Sequence, residues 1–275
     1  MQSEIFPPTR KYKLLSLSSG SNGNCYYLGT SSYGILIDAG IGVRTIKKYL
    51  REYGVAIETI IGVLITHDHT DHIRYVSGLG NKMHIPVYAT EAVHQSISRN
   101  RFCPEQLNGS KRVIEKEQSF SIRDFEITAF DVPHDSADNS GYLIKTGNHT
   151  IVLATDVGRI TEQIARYASA ANHLIIEANY DEQMLRNGNY PELLKQRIMS
   201  GNGHLSNTLT AQFLSDIFHK NMEEIWLCHL SQDNNLPELA YNAVREKLQE
   251  RGVIVDRDVV LKTLRRGKPS GMKEF

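Results

Sequence analysis

The apolar run IIGVLIT (60–66) stops at His67 and passes straight into HDHTDH (67–72). His67 and His69, two apart in extended chain, project to the same side. Asp71 and His72 then open a helix and turn their side chains toward that pocket from a second direction. Imidazole and carboxylate are the groups that Zn²⁺ and similar divalent ions take as ligands. The competing reading, a polar helix start with incidental histidines, fits poorly with so dense a cluster. Eleven histidines are present in all.

The rest of the chain alternates strand and helix patterns. KLLSLS (13–18), CYYLG (25–29) and GILID (34–38) read as strands separated by turn formers, and GVRTIKKYLREY (42–53) has helical spacing. A helix is expected from about Asp71, a strand near Ile85–Tyr88 and a helix over Glu91–Arg99. From 111 to 154 the chain is strand-rich, with a hairpin signal at Gly147-Asn148. Helices near 160–169, 191–199, 207–219 and 236–250 then alternate with strands at 173–178, 224–228 and 258–262. No gap is long enough for an interdomain linker. The fold class expected is α/β, two mixed sheets face to face with helices outside, in one domain spanning 1–275. LKTLRRGKPSGMKEF, from about 263 a basic C-terminal tail, reads as a solvated end, with a weak phosphate-contacting strip as the sharper alternative.

Composition removes several classes. No apolar run reaches the ~18–20 residues that cross a bilayer, and MQSEIFPPTRKYK has no secretory h-region. Three cysteines without CxxC spacing suit a reducing, cytoplasmic setting. Lys+Arg equals Asp+Glu at 31 each, so no global field draws the protein to nucleic acid.

HxHxDH after a hydrophobic strand resembles the signature of the metallo-β-lactamase fold, and four further motifs, one before it and three after, stand in that family's order. Asp38 ends GILID, His134 lies in DVPHDSADNSGYLI, Asp156 closes IVLATD and His229 follows IWLC. The resemblance runs from about 13 to about 262 and implies an αββα sandwich with two metal ions at one edge. Carried over by position, His67, His69 and His134 would hold one ion. Asp71, His72 and His229 would hold the second, Asp156 would bridge, and Asp38 would orient a ligand histidine. A hydroxide bridging two such ions is a nucleophile near neutral pH. Zn²⁺, Mn²⁺ and Fe²⁺ all accept this ligand set.

Details within the motifs favour phosphodiesters. The third motif lacks the Thr-Pro-Gly-His-Thr pattern of the thioesterase branch. Cys228, next to His229, should point the opposite way and belong to the core, as should Trp226. IIEANYDE and GNGHLSNTLTAQFL resemble motifs of tRNase Z, in which a Glu-supported His protonates the leaving oxygen; Glu177 and His204 would play those parts. The long arm of tRNase Z is missing, and the Asp156–His229 interval cannot house a β-CASP insert. The compact chain with its SGSNGN loop (19–24) resembles the YycJ/VicX-like branch, associated with metal-dependent exonuclease action on DNA. That loop could offer N–H groups to a phosphate, with Ser21 and Asn24 as candidate substrate contacts; a tight strand connection is the alternative. Ser231 and Asn234, near the pocket mouth, are further candidates. His84, His94, His149, His173 and His219 fit no motif and read as surface or structural.

The function expected is a dinuclear metal-dependent phosphodiesterase, first of all a DNA exonuclease. The alternatives are a phosphodiesterase for a cyclic nucleotide or sugar phosphate, and an RNA-processing nuclease. DNA is preferred to RNA as the partner, no membrane is involved, and the oligomeric state is open, a homodimer included.

Overall fold

A computed structural model describes residues 11–103, 106, 107 and 109–275. The first ten residues, read above for a leader, lie outside them. The first strands are β1 (Lys13–Ser18), β2 (Cys25–Gly29), β3 (Gly34–Ile37), β4 (Ile60–Leu64), β5 (Val87–Ala89) and β6 (Lys111–Val113). Then come β7 (Ser119–Ile122), β8 (Phe125–Asp131), β9 (Ser140–Thr146), β10 (His149–Ala154), β11 (His173–Glu177), β12 (Glu224–Cys228), β13 (Val260–Thr263) and β14 (Lys273–Glu274). They form two seven-stranded sheets, β14-β1-β2-β3-β4-β5-β6 and β13-β12-β11-β10-β9-β8-β7. Both are mixed, as expected. β3 through β6 run parallel, and so do β10 through β13.

The helices are α1 (Val43–Glu52), α2 (Thr70–Ile73), α3 (Val76–Gly80), α4 (Glu91–Arg99), α5 (Glu162–Ala168), α6 (Glu182–Asn187), α7 (Glu192–Met199), α8 (Asn207–Ile217) and α9 (Pro237–Glu250). Strand alternation sorts the core into three layers. On β12, Trp226 and Cys228 face the space between the sheets while Ile225 and Leu227 face the helices. On β1, Leu14 lies between the sheets and Leu15 and Leu17 lie under α1 and its neighbours. Sheets covered on both faces require apolar residues at successive positions, which is why these strands read as unbroken apolar runs. Cys228 and Trp226 are core residues, as expected.

Three expectations need correction. The helix expected from Asp71 begins at Thr70 and divides into α2 and α3 at Arg74-Tyr75. The strand expected from Ile85 begins at Val87. The C-terminal stretch is built into the fold: Lys13 pairs with Glu274 and Leu14 with Lys273, and Phe275 stacks on Tyr12 at 6.1 Å. Gly147, at φ +56, sits first in the two-residue β9–β10 turn, where glycine avoids a Cβ clash. Among the described residues, no helix is long and apolar enough to cross a membrane.

The parallel strands of both sheets end at one edge. β3 delivers Asp38 there, β4 delivers Thr66 and His67, β10 Asp156, β11 Glu177 and β12 His229. Tyr142 Oη donates to the Ile65 carbonyl at 2.6 Å, and the Ser140 N–H to the Thr66 carbonyl at 2.9 Å. These bonds pin one sheet to the other where those residues emerge.

At the opposite end, Glu224 is buried with Lys262 Nζ at 2.7 Å, Lys273 Nζ at 3.4 Å and His173 Nδ1 at 3.8 Å. Burial pushes its carboxyl up, but His173 and Lys262 more than reverse this and hold it at about 2, below the ordinary 4.5. Its folded pKa is depressed, so its contribution to stability is full above about pH 4.5 and is lost as pH falls through about 2. Urea unfolding between pH 5 and pH 2 should therefore show the native protein losing more stability than Glu224→Gln. Parallel curves would contradict this.

Candidate metal centre

Asp38, Asp156 and His229 all follow apolar strands, and all three adopt left-handed backbone, with φ of 63°, 54° and 53°. Aspartate and histidine tolerate that region better than branched residues do. The turn breaks the strand's alternation and aims each side chain along the sheet edge, into the gap between the two sheets.

There the imidazoles share one pattern: one nitrogen is tethered to oxygen and the other faces a common space. Asp38 is fully buried and accepts from the Thr66 N–H at 2.9 Å and the Thr66 hydroxyl at 3.0 Å; its Oδ2 stands 2.7 Å from His72 Nδ1. Thr66 Oγ1 in turn lies 3.0 Å from His67 Nδ1. His134 Nδ1 donates to the Gly203 carbonyl at 3.0 Å, and His69 Nε2 to the Asp135 carbonyl at 3.3 Å. The remaining nitrogens converge. His134 Nε2 is 3.3 Å from His69 Nδ1, His72 Nε2 is 3.4 Å from Asp71 Oδ2, and His229 Nε2 is 3.5 Å from the same oxygen. Asp156 lies between the two sets, 3.2 Å from His72 Nε2 and 3.7 Å from His134 Nε2.

This arrangement fits divalent cations. Among the described residues, the buried Nε2 atoms of His67 and His229 have no hydrogen-bond partner, and such orphans are costly unless a proton donor or a cation takes up their lone pairs. Two groups whose donor atoms lie within 4.8 Å of one another are His67, His69, His134 and Asp71, His72, His229. Imidazoles oriented through their distal N–H are the usual support for metal ligands. The charge pattern agrees. Burial works against charge on His72 and His229, yet His72 is pushed well above its ordinary value by Asp38, Asp71 and Asp156. His229 is pushed up to about 10, chiefly by Asp156. The carboxylates thus favour positive charge at His72 and His229.

Glu177 and His204 stand beside this cluster. Glu177 is fully buried at the end of β11; its Oε2 accepts from the backbone N–H groups of Val157 at 2.8 Å and Leu205 at 3.1 Å. Its Oε1 lies 2.8 Å from His204 Nδ1, the expected pairing, and also 2.9 Å from His229 Nδ1. That second contact escaped the sequence, because only the β11–β12 register sets Glu177 beside Cys228. Burial depresses His204, but Glu177 and Asp156 outweigh it and hold the imidazole above its ordinary value. The four hydrogen bonds to Glu177 leave it satisfied by protein.

A cleft of about 270 Å³ opens over the cluster, lined among others by Ser21, Ser231, Tyr190, Arg197 and His204. Ser21 and Ser231 are thus where a substrate contact would be. Asn24 and Asn234 are not. Asn24 is buried, with its Nδ2 2.9 Å from His72 Nε2 and 3.1 Å from Asp71 Oδ2, so it belongs to the wall of the cluster. Asn234 is buried beneath the rim, against Gly188. The 19–24 loop is a tight connection whose N–H groups are mostly consumed internally: Gly20 N–H on Asn24 Oδ1, Gly23 N–H on the Gly20 carbonyl and Asn24 N–H on the Asp71 carbonyl. Of the unassigned histidines, His94 is buried on the Arg112 carbonyl, and His173 pairs with His149 at the far end of the sheet; both are structural.

Three comparisons place these features. The model of the β-lactamase superfamily domain matches residues 33–229. Exodeoxyribonuclease YycJ of Bacillus anthracis is 34% identical over 244 residues, covering 86% of this chain and 89% of that protein. Exodeoxyribonuclease WalJ of Streptococcus pneumoniae serotype 2 is 35% identical over 247 residues, covering 89% and 92%. Among solved structures, the metallo-β-lactamase fold protein YhfI of Bacillus subtilis superposes with a TM-score of 0.69 at 18% identity, covering 97% of this chain and 100% of that one.

Gly40 gives a local test. A Cβ there would stand 1.6 Å from the Asp71 carbonyl oxygen, whereas one at Gly42 would meet nothing nearer than 3.7 Å. Gly40→Ala must therefore move Asp71. It should weaken Zn²⁺ binding, read by chelator competition, at least about tenfold, the lower range for disturbing a ligand's support. Gly42→Ala should bind as the native protein does. Equal affinities in all three would remove Asp71 from the site.

Proposed function

The chain belongs to the β-lactamase superfamily as a metal-dependent hydrolase, and we propose that it is an exonuclease that removes nucleotides from DNA ends. The observation that carries this reading is the Glu177–His204 pair standing beside a cluster of tethered imidazoles. Similarity along nearly the full length to two proteins named exodeoxyribonucleases supports it.

His67, His69 and His134 would hold one divalent cation and Asp71, His72 and His229 a second, with Asp156 between them. Zn²⁺ or Mn²⁺ suits these donors, and Fe²⁺ is accepted by the same set. Such ions supply positive charge to polarise a phosphodiester and acidify a water near neutral pH. The remaining work falls to the chain. Asp38 and Thr66 fix the rings of His72 and His67. Glu177 holds His204 through Nδ1, which leaves Nε2 as the atom that carries a proton to the departing oxygen. An alkoxide is a poor leaving group, so this proton matters for DNA. Arg197, joined to Asp135 at the rim, offers a guanidinium to phosphate. Tyr190 Oη donates to Asp233 Oδ2 at 2.8 Å and ties the segment before α7 to the loop after β12. The cleft beneath that tie is small, which suits a terminal nucleotide better than the middle of a duplex. Three buried free thiols suit a reducing cytoplasm.

Linear DNA labelled at its ends should be degraded in Mn²⁺ or Zn²⁺ while the same DNA, circularised, stays intact. Loss of the circle at a similar rate would overturn end-dependence. Asp71→Ala and Asp156→Ala should each abolish turnover, and metal-dependent activity retained in both would sink the ligand assignment. His204→Ala should slow DNA hydrolysis about 10²–10⁴-fold with metal content unchanged. On bis(4-nitrophenyl) phosphate, whose leaving group departs unprotonated, the same variant should stay within about threefold of the native rate. A matching loss on both substrates would deny His204 the role of acid.

A further inference from the structure

The neutral total charge hides a basic face. On α1, Arg44, Lys47, Lys48 and Arg51 recur at i, i+3, i+4 and i+7, one side of the helix, opposite buried Ile46 and Leu50. Lys48 has a partner, Glu52 at 3.9 Å. Among the described residues, Arg44, Lys47, Arg74, Lys82 and Arg101 have no carboxylate within ion-pair distance.

Four of these cations, with Tyr75 and Phe102, line a hollow of about 620 Å³ between α1 and the α2–α3 segment, and no carboxylate lines it among the described residues. Arg44 and Lys47 also line the next hollow along α1, with Lys48, Arg51 and one carboxylate, Glu58, so the run of cations continues along the helix. Tyr75 and Phe102 are large rings left exposed, at 38% and 36%. The guanidinium carbons of Arg74 and Arg101 stand 5.0 Å and 4.8 Å from the Phe102 centroid, which adds planar cations to the platform. Exposed rings amid cations that are unpaired among the described residues match the needs of an unpaired strand: charge for phosphates and flat faces for bases.

The groove also begins at the catalytic edge. Its α1 wall starts at Val43, five residues after Asp38, across Gly40, which packs against the Asp71 carbonyl. Its other wall starts at Arg74 and Tyr75, directly beyond the helix that bears Asp71 and His72; the Tyr75 N–H donates to the Ala39 carbonyl at 3.0 Å. From Arg44 to Arg51 the basic face covers about 10 Å.

We infer that this groove binds single-stranded DNA adjoining the end being cut, with Tyr75 and the Arg74–Phe102–Arg101 group stacking bases and Arg44, Lys47 and Lys82 contacting phosphates. The inference rests on the nuclease reading for its substrate. Binding is measurable without turnover, by fluorescence anisotropy of a labelled 15-nucleotide oligo(dT) in EDTA. Arg44→Glu with Lys47→Glu should weaken binding at least tenfold and flatten the plot of log affinity against log salt by about 1.4, two phosphates at ~0.7 each. Tyr75→Ala with Phe102→Ala should weaken oligo(dT) roughly tenfold but leave a blunt 15-base-pair duplex nearly unchanged, since paired bases offer no free face. Lys145→Glu with Lys220→Glu, the same change in net charge elsewhere, should bind as the native protein does.

Unchanged oligo(dT) binding in the first pair, or equal loss in the control pair, would overturn the groove. Equal loss of duplex and oligo(dT) in the aromatic pair would overturn base stacking. Melting temperature and bis(4-nitrophenyl) phosphate hydrolysis keep folding in view. If native protein cuts no DNA with any metal while the groove variants lose binding, the exonuclease reading fails and the groove stands. DNA cleavage with unaltered binding in the variants sinks the groove alone.

Discussion

Asp38 is a carboxylate with no exposed surface, and the geometry of the whole site hangs from it. Burying such a group is expensive unless hydrogen bonds replace its water. Here the Thr66 N–H, the Thr66 hydroxyl and His72 Nδ1 do so at 2.7–3.0 Å. In satisfying Asp38, those groups become fixed: Thr66 holds His67, and His72 turns Nε2 toward Asp71 and Asp156. One internal charge thus orients ligand candidates from β4 and α2 at once. Glu177 is its counterpart in the second sheet, orienting His204 and His229 while two backbone N–H groups satisfy its other oxygen.

The strain of the edge is placed where the chemistry is. Asp38, Asp156 and His229 each hold a positive φ, a backbone region that costs up to ~1–3 kcal/mol and persists only where surrounding contacts enforce it. The strands behind them supply that enforcement, with Leu36, Val152 and Leu227 fully buried. A rigid sandwich thereby stores modest strain so that side chains which would alternate away from each other converge instead.

Much of this was legible in the sequence because strands that are apolar on both faces end abruptly in histidine or aspartate. The motif residues His67, His69, Asp71, His72, His134, Asp156 and His229 do gather, and Glu177 does meet His204. Contacts that depend on sheet stacking were not legible. Asn24 looked like a loop residue open to substrate and is instead buried against Asp71 and His72. Asn234 looked like part of the mouth and lies beneath it. Glu177 reaches His229 only through the β11–β12 register. The C-terminal stretch, basic and polar, gave no sign that two of its residues would pair with β1. The apolar spacing of α1 was legible, but its basic face gained meaning only with Tyr75, Phe102 and the arginines across from it.

We propose that tethered imidazoles and carboxylates from the two sheets define two adjoining cation positions. Anomalous diffraction at the zinc edge, from crystals grown with Zn²⁺, tests it directly. Two peaks are expected, one among His67, His69 and His134 and one among Asp71, His72 and His229, with Asp156 touching both. A single peak held by Glu177 and His204, or none at the strand ends, would contradict it.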